Sequence, residues 1–328
     1  MLTPKENYLR MLRGEIPEYV PSMYEKRRGT YTEDFLTPQS APNGPIVTKL
    51  GVRYVDSEKM MNGALPDPNR EVLKDIKNWR DWVKLPDISD FDFEKYYADK
   101  IKHIDRSQQY ISVTGGDYSL TLVSIMEFNN AFVAMYQDPD EVIAMLEYIS
   151  TYYLEILKKQ IYYIKPEAMT LMDDDSAYKN PFFNLKTYQK IFKPFHKLHC
   201  DLALENGMVI ERHDCGRCEQ FIPDWLEMGI SGWNPAQTSN DLKGIKQKYG
   251  NRLAICGGWH SLDWDSDCDL NELRDAMVEY VDTLAPGGGF SFMAGVSGKA
   301  GDPKLKERQD FIKNFYFDYV HDYYKTHH

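Results

Sequence analysis

The sequence is poor in cysteine: 5 residues in 328, too few and too unevenly spaced for a disulfide scaffold. No apolar run approaches the roughly 18 residues a membrane span requires, and the start, MLTPKENYLR, has no basic stretch followed by an apolar one. Basic residues are in deficit, Lys+Arg 39 against Asp+Glu 50, for a formal net charge of -11. That balance argues against grip on a phosphate backbone or an anionic bilayer. The expectation is a cytoplasmic protein with no nucleic-acid and no membrane partner. Neither GxGxxG nor GxxxxGK[ST] occurs, which removes the usual phosphate-cradling loops of open α/β sheets. Gly287-Gly288-Gly289 precedes a β-rich run rather than following one, so it reads as a tight helix-to-strand turn. With no repeat, low-complexity tract or linker, residues 1–328 read as a single domain.

What is present is ordinary globular material, 42% hydrophobic and 27% charged, able to bury a sizeable core. About the first hundred residues are broken by proline and charge and read as an N-terminal cap of loops and short helices holding the first barrel elements. Beyond residue 110, short β-rich runs alternate with helical patterns. Strands are expected at 110–113, 168–172, 208–213, 229–233, 253–256 and 290–293. Helices are expected at 120–137, 139–164, 185–205, 219–228, 241–249 and 270–284. Six such alternations suit a closed (β/α)8 TIM barrel better than an open sheet.

The richest stretch is Val209-Ile210-Glu211-Arg212-His213-Asp214-Cys215-Gly216-Arg217-Cys218-Glu219. Alternate residues of an extended chain share a face, so Glu211, His213 and Cys215 point one way near a strand's C-terminal end, where a barrel keeps its active site. An imidazole and a thiolate together suit Zn²⁺, and Cys218 offers a second sulfur. Taken singly, a cysteine is more often a small buried hydrophobe, and CxxC can be a redox pair. Met172-Asp173-Asp174-Asp175 ends another β-rich run; three adjacent carboxylates in a shielded place cannot all stay ionised without partners, though any one of them can simply cap a helix. Leu253 to His260 runs into a glycine pair beside Trp259 and His260, which can border a pocket, while Cys256 reads as packing. Trp233-Asn234-Pro235 offers an aromatic wall and an amide, and Gly115-Gly116-Asp117 a further contact or a helix cap.

From Asp173 to Gly216 the carboxylates after a strand, the Asn180-Pro181 turn and the His213-x-Cys215-Gly216 ending resemble the uroporphyrinogen decarboxylase superfamily. With Trp233-Asn234-Pro235-Ala236-Gln237 and Gly257-Gly258-Trp259, the chain is similar over roughly residues 100–325 to the veratrol-type corrinoid-protein methyltransferases of anaerobic O-demethylase systems. The resemblance implies a barrel with zinc at its mouth, ligated by His213 and Cys215. Thiol-methylating relatives carry a further cysteine after the last strand, where Val296 stands here, so either the third ligand comes from Cys218, Glu211 or one of Asp173 to Asp175, or the site is not a standard zinc site. The implied reaction moves a methyl group from a small methoxylated aromatic to the cobalt(I) of cobalamin carried on a separate corrinoid protein. Asp173, Asp174, Glu219 or His260 would protonate or orient the leaving oxygen; Asp117, Trp233, Asn234 and Trp259 would contact the substrate. A uroporphyrinogen-type decarboxylase would need an arginine-rich N-terminal grip on an acidic tetrapyrrole, which Tyr24-Glu25-Lys26-Arg27-Arg28-Gly29 only partly echoes. A catalytically silent ligand-binding barrel is the remaining alternative.

Overall fold

The computed structural model describes residues 2–29, 44–57 and 63–327. Ten strands occur among them: β1 (Arg28–Gly29), β2 (Ile46–Val47), β3 (Arg53–Ser57), β4 (Gly63–Pro66), β5 (Tyr110–Thr114), β6 (Ala168–Met172), β7 (Val209–His213), β8 (Gly232–Ala236), β9 (Ala254–Gly257) and β10 (Phe290–Ser291). Seven form one parallel sheet in the order β1-β5-β6-β7-β8-β9-β10, with helices between successive strands. Ser22 bridges Phe292 in parallel, and the Tyr110 amide donates to the Arg27 carbonyl, so segment 21–29 reaches from β10 across to β5 and brings the two ends of the curled sheet together. This is the (β/α)8-type barrel expected from the alternation.

The central strands follow their sequences. β6 is buried along four of its five residues, as a strand with helices outside and a packed interior must be. The helix Pro139–Ile164 starts where a proline at its first position needs no donor and where Asp140 and Glu141 meet the positive end of its dipole. Its C-terminal neighbour Lys165 turns left-handed, φ 53°. The expected helix at 120–137 is in fact two, Tyr118–Met126 and Phe128–Gln137, separated by Glu127 at φ 69°. The one at 185–205 divides into Leu185–Ile191 and Lys193–Glu205, where Pro194 can serve as a helix start but not as a helix interior. β8 begins three residues later than the expected 229, because Gly229 at φ +84° still belongs to the turn after a helix. The small antiparallel sheet β2-β3-β4 was not foreseen. No helix of the described residues is long and apolar enough to cross a membrane.

The lower end of the barrel is closed by the helix Pro4–Leu12, whose start carries a reciprocal capping box between Thr3 and Glu6. Its Tyr8, Leu9, Met11 and Leu12 pack against the inward residues Tyr110, Ala168, Ala254 and Cys256. Gly232 faces this plug, and a Cβ there would lie 2.6 Å from Leu12 and 3.2 Å from Glu211. With the N-terminal end filled, the cavity above it opens toward the strand C-termini.

Candidate metal centre

Strand alternation sorts the residues at the ends of β6 and β7 into two sets. Register pairs Thr170 with Glu211, Met172 with His213, and His213 with Asn234. Beyond these pairs, Gly216 turns the chain at φ +84°, and a Cβ there would lie 2.5 Å from the carbonyl oxygens of Ser176 and Ala177. Only glycine fits, and this close approach brings Cys215 beside the Asp174 loop: the Cys215 amide donates to Asp174 Oδ1 at 2.9 Å.

One ligand atom each from Asp174, His213 and Cys215 lie within 4.8 Å of one another, all partly exposed at the rim. His213 Nε2 is 4.0 Å from Asp174 Oδ1. Tetrahedral bonds of about 2.0–2.3 Å place ligand atoms roughly 3.5 Å apart, so small rotations of these side chains would seat a zinc ion and leave a fourth position open. Burial first, then the Asp174 and Asp214 carboxylates, push the Cys215 thiol up to about 12. A thiolate there needs compensating positive charge, which a divalent cation supplies. Nitrogen, sulfur and oxygen donors of this kind fit zinc. Of the third ligands left open by the sequence, the structure brings Asp174 to the pair.

Asp173 does not join them. It is fully buried, its Oδ2 accepting from the amides of Tyr118 and Ser119 at 2.8 and 3.1 Å and from His196 Nε2 at 2.9 Å. It thereby caps the helix Tyr118–Met126 from a neighbouring strand. Asp175 and Asp214 hold the buried Arg212 at 2.5 and 2.9 Å. Cys218 also faces away: its thiol lies 3.1 Å from the Cys215 carbonyl and 3.7 Å from that of Asp214, and burial pushes it far above the ordinary thiol range.

Beneath the rim lies a cavity of about 490 Å³. Tyr8, Tyr110, Glu211 and Cys256 line it from the barrel interior, with Met23 to Arg28 and Met293 around them and Asn234 joining it to His213. Arg27 lies over the Tyr8 ring at 4.3 Å and donates to Ser291 at 3.3 Å; Arg28 donates to Thr170 at 3.2 Å. Burial works against both charges, but Tyr8, Tyr110 and Glu211 nearby hold both guanidinium groups above their ordinary value. Neither arginine forms an ion pair within 4.0 Å among the described residues. Sequence reasoning treated this segment only as an echo of a tetrapyrrole grip and read Cys256 as packing; two-residue β1 has no period that would have placed it inside a barrel.

Asn234 is therefore at the site. Trp233 is not: it points outward, fully buried, donates to the Asp214 carbonyl at 2.9 Å and packs edge-on against Trp225. Asp117 is buried against Thr121, 3.0 Å from its hydroxyl. Glu219 accepts from the Asp241 amide at 2.8 Å beside a separate hollow. His260 pairs with Asp263 at 2.8 Å, and Trp259 stacks on Trp264 and donates to the Gly295 carbonyl at 2.6 Å; both border another cavity of about 290 Å³.

A comparison with curated proteins finds no match. Among solved structures, the chain is similar to a methyltransferase from Methanosarcina mazei, with TM-score 0.59 at 12% identity, over 96% of this chain and all of that one. At that identity the likeness is one of fold. The uroporphyrinogen decarboxylase (URO-D) profile matches residues 58–285, more than half the sequence and the stretch that carries the rim triad, and the chain belongs to that family.

Proposed function

We propose that this protein is a methyltransferase that takes the methyl group of a methoxylated aromatic and passes it to the cobalt(I) corrinoid of a separate protein, with zinc held by Asp174, His213 and Cys215. The observation that carries this reading is the convergence of those three ligand atoms, with Asn234, which bonds His213, lining a cavity of about 490 Å³. When bound, zinc would act as a Lewis acid on the ether oxygen. The chain's own residues do the rest. Tyr24, Tyr110, Met23 and Met293 give the cavity apolar surface against which a ring can lie. Arg27 and Arg28 line the same cavity and would offset negative charge developing on an aryl oxygen bound there, while the partner's cobalt(I) would supply the electron pair that takes up the methyl group. Asn234 holds His213 by a 3.1 Å hydrogen bond to Nδ1. The fold shared with a methyltransferase and the family membership support this reading.

A decarboxylase reading draws on the family's description and on the cationic residues Lys26, Arg27 and Arg28 in the cavity. It leaves the rim triad without a task. Metal content separates the two. Protein purified without chelator should hold about one equivalent of zinc and should demethylate a methoxyarene in the presence of reduced corrinoid protein. Below about a tenth of an equivalent, not recovered on adding zinc, the methyltransferase reading fails.

A further inference from the structure

Glu211 stands two residues before His213 on the same face of β7, yet it is not among the three converging ligand atoms. It is 1% exposed, and three donors converge on its carboxylate. Tyr8 donates to Oε1 at 2.6 Å, Asn234 Nδ2 donates to the same oxygen at 3.4 Å, and the Tyr110 hydroxyl donates to Oε2 at 3.5 Å. The Tyr8 proton being committed there, Cys256, whose sulfur is 3.4 Å from the Tyr8 oxygen, is the donor in that contact.

A carboxylate only accepts hydrogen bonds, whereas an amide has one accepting end and one donating end. Glu211 therefore decides which way the Asn234 amide faces: its NH₂ must turn to Glu211, which leaves Oδ1 turned to His213. His213 Nδ1, 3.1 Å from that oxygen, must then carry the ring proton. The lone pair is left on Nε2, the nitrogen that faces Asp174 at 4.0 Å. We infer that Glu211 is a positioning residue that fixes the tautomer of His213 through Asn234, so that the histidine presents an unprotonated Nε2 to the metal. The inference rests on the metal reading only for what the tautomer is used for; the relay Glu211–Asn234–His213 is a property of the protein alone. It also connects the N-terminal plug, through Tyr8, to the rim.

The test uses the full chain in two ways. With ¹⁵N-histidine labelling and His213→Gln to assign the signal, long-range proton–nitrogen spectra of metal-free protein should show the Nδ1–H tautomer at His213, and a mixture of tautomers in Glu211→Gln. In competition titrations against a chromophoric chelator, Glu211→Gln should bind zinc about 10- to 100-fold more weakly, the usual effect of losing an outer hydrogen-bond partner. The double variant Glu211→Gln/Asn234→Asp should recover to within about threefold of wild type, because an aspartate at 234 accepts from Nδ1–H whatever stands at 211. A Glu211→Gln protein with unchanged affinity and an unchanged His213 spectrum overturns the inference. So does a double variant as weak as the single one, since that result assigns Glu211 to ligation or packing. Wild-type protein that takes up no zinc defeats the metal reading, and the spectra then decide the positioning role by themselves.

Discussion

Two sets of polar residues share the last turns of β6 and β7 and live in opposite surroundings. Asp173, Asp175, Arg212 and Asp214 point away from the barrel axis into the helix layer and are fully buried. Asp174, His213 and Cys215 occupy the rim, with the Asp174 and His213 side chains 36% and 30% exposed. The outer set is paired mostly from within: Arg212 bridges Asp175 and Asp214 through Nε and one terminal nitrogen, its other terminal nitrogen being buried without a partner, the Asp175 amide donates to Asp214, and Asp173 takes donors from a helix end and His196. The rim set is only loosely joined to itself. The difference teaches that charge density alone does not mark a site; what marks it is ligand atoms that converge where they are partly exposed and are not locked into ion pairs.

The comparison breaks most visibly at Arg212. Burial drives Asp214 up to about 6 although Arg212 pulls it back, and it drives Asp175 far above the ordinary carboxylate range against the same pull. Removing the guanidinium by Arg212→Met strands two buried carboxylates and should cost about 3–5 kcal/mol, a large share of a typical domain's stability. Denaturant melts of Arg212→Met, against Asp174→Ala, read this directly. Asp174→Ala should stay within about 1 kcal/mol of wild type. Equal losses in both would erase the distinction between the two sets.

At the rim the expected effect is on metal rather than on folding. Cys215→Ser and Asp174→Asn should each weaken zinc binding by more than about a hundredfold, beyond the range seen for outer partners, while their melts remain near wild type. Zinc binding that survives both substitutions would move the metal, if any, to another place.

A third measurement sharpens the outer half. His196 and His199 are buried together, and burial above all lowers them to about 4 and about 3; Arg212 adds to the effect on His196, and His196 to that on His199. His196 donates Nε2–H to Asp173 and accepts from Tyr188; His199 meets Tyr118 at 2.8 Å. Both are neutral near pH 7, folded or unfolded. As pH falls below 6.5 the unfolded chain binds protons that the folded chain refuses, so stability declines from pH 6.5 down through the folded values. The loss at pH 5 should be about 2 kcal/mol per histidine. Asp214 works the other way, its raised value adding stability as pH falls through about 6. Urea midpoints at pH 7 and pH 5 for wild type and His199→Phe check it: the variant should lose less, and an equal loss would show that His199 is not what titrates.

Much of this frame was legible in the sequence because it depends on period. β5, β6 and β9 were expected to within about a residue or two, and the helix Pro139–Ile164 has the bounds its proline and apolar spacing announce. The rest depended on contacts between distant segments. β1 is two residues long and gains its meaning only from pairing with β5. Glu127 ends a helix by a left-handed turn that no glycine signals. At the site, the sequence put His213 and Cys215 on one face but had no means to choose among Asp173, Asp174 and Asp175. That choice follows from helix Tyr118–Met126 claiming Asp173 and Arg212 claiming Asp175.

Cys218 gives the smallest expected effect and the finest test of that choice. Three residues from Cys215, it looks like a second sulfur ligand on paper, and in the fold its thiol is sealed among backbone carbonyls of its own turn. Cys218→Ala should lose about 1–2 kcal/mol of stability through the small void it leaves, and its zinc affinity should remain within about twofold of wild type because, of the three ligand residues, the thiol touches only the backbone carbonyl of Cys215 and no ligand atom. Titration of Cys218→Ala and Cys215→Ala side by side separates the two sulfurs. Matching losses of zinc would mean that the turn at Gly216 rearranges to present both thiols, and the assignment of Asp174 as third ligand would then have to be withdrawn.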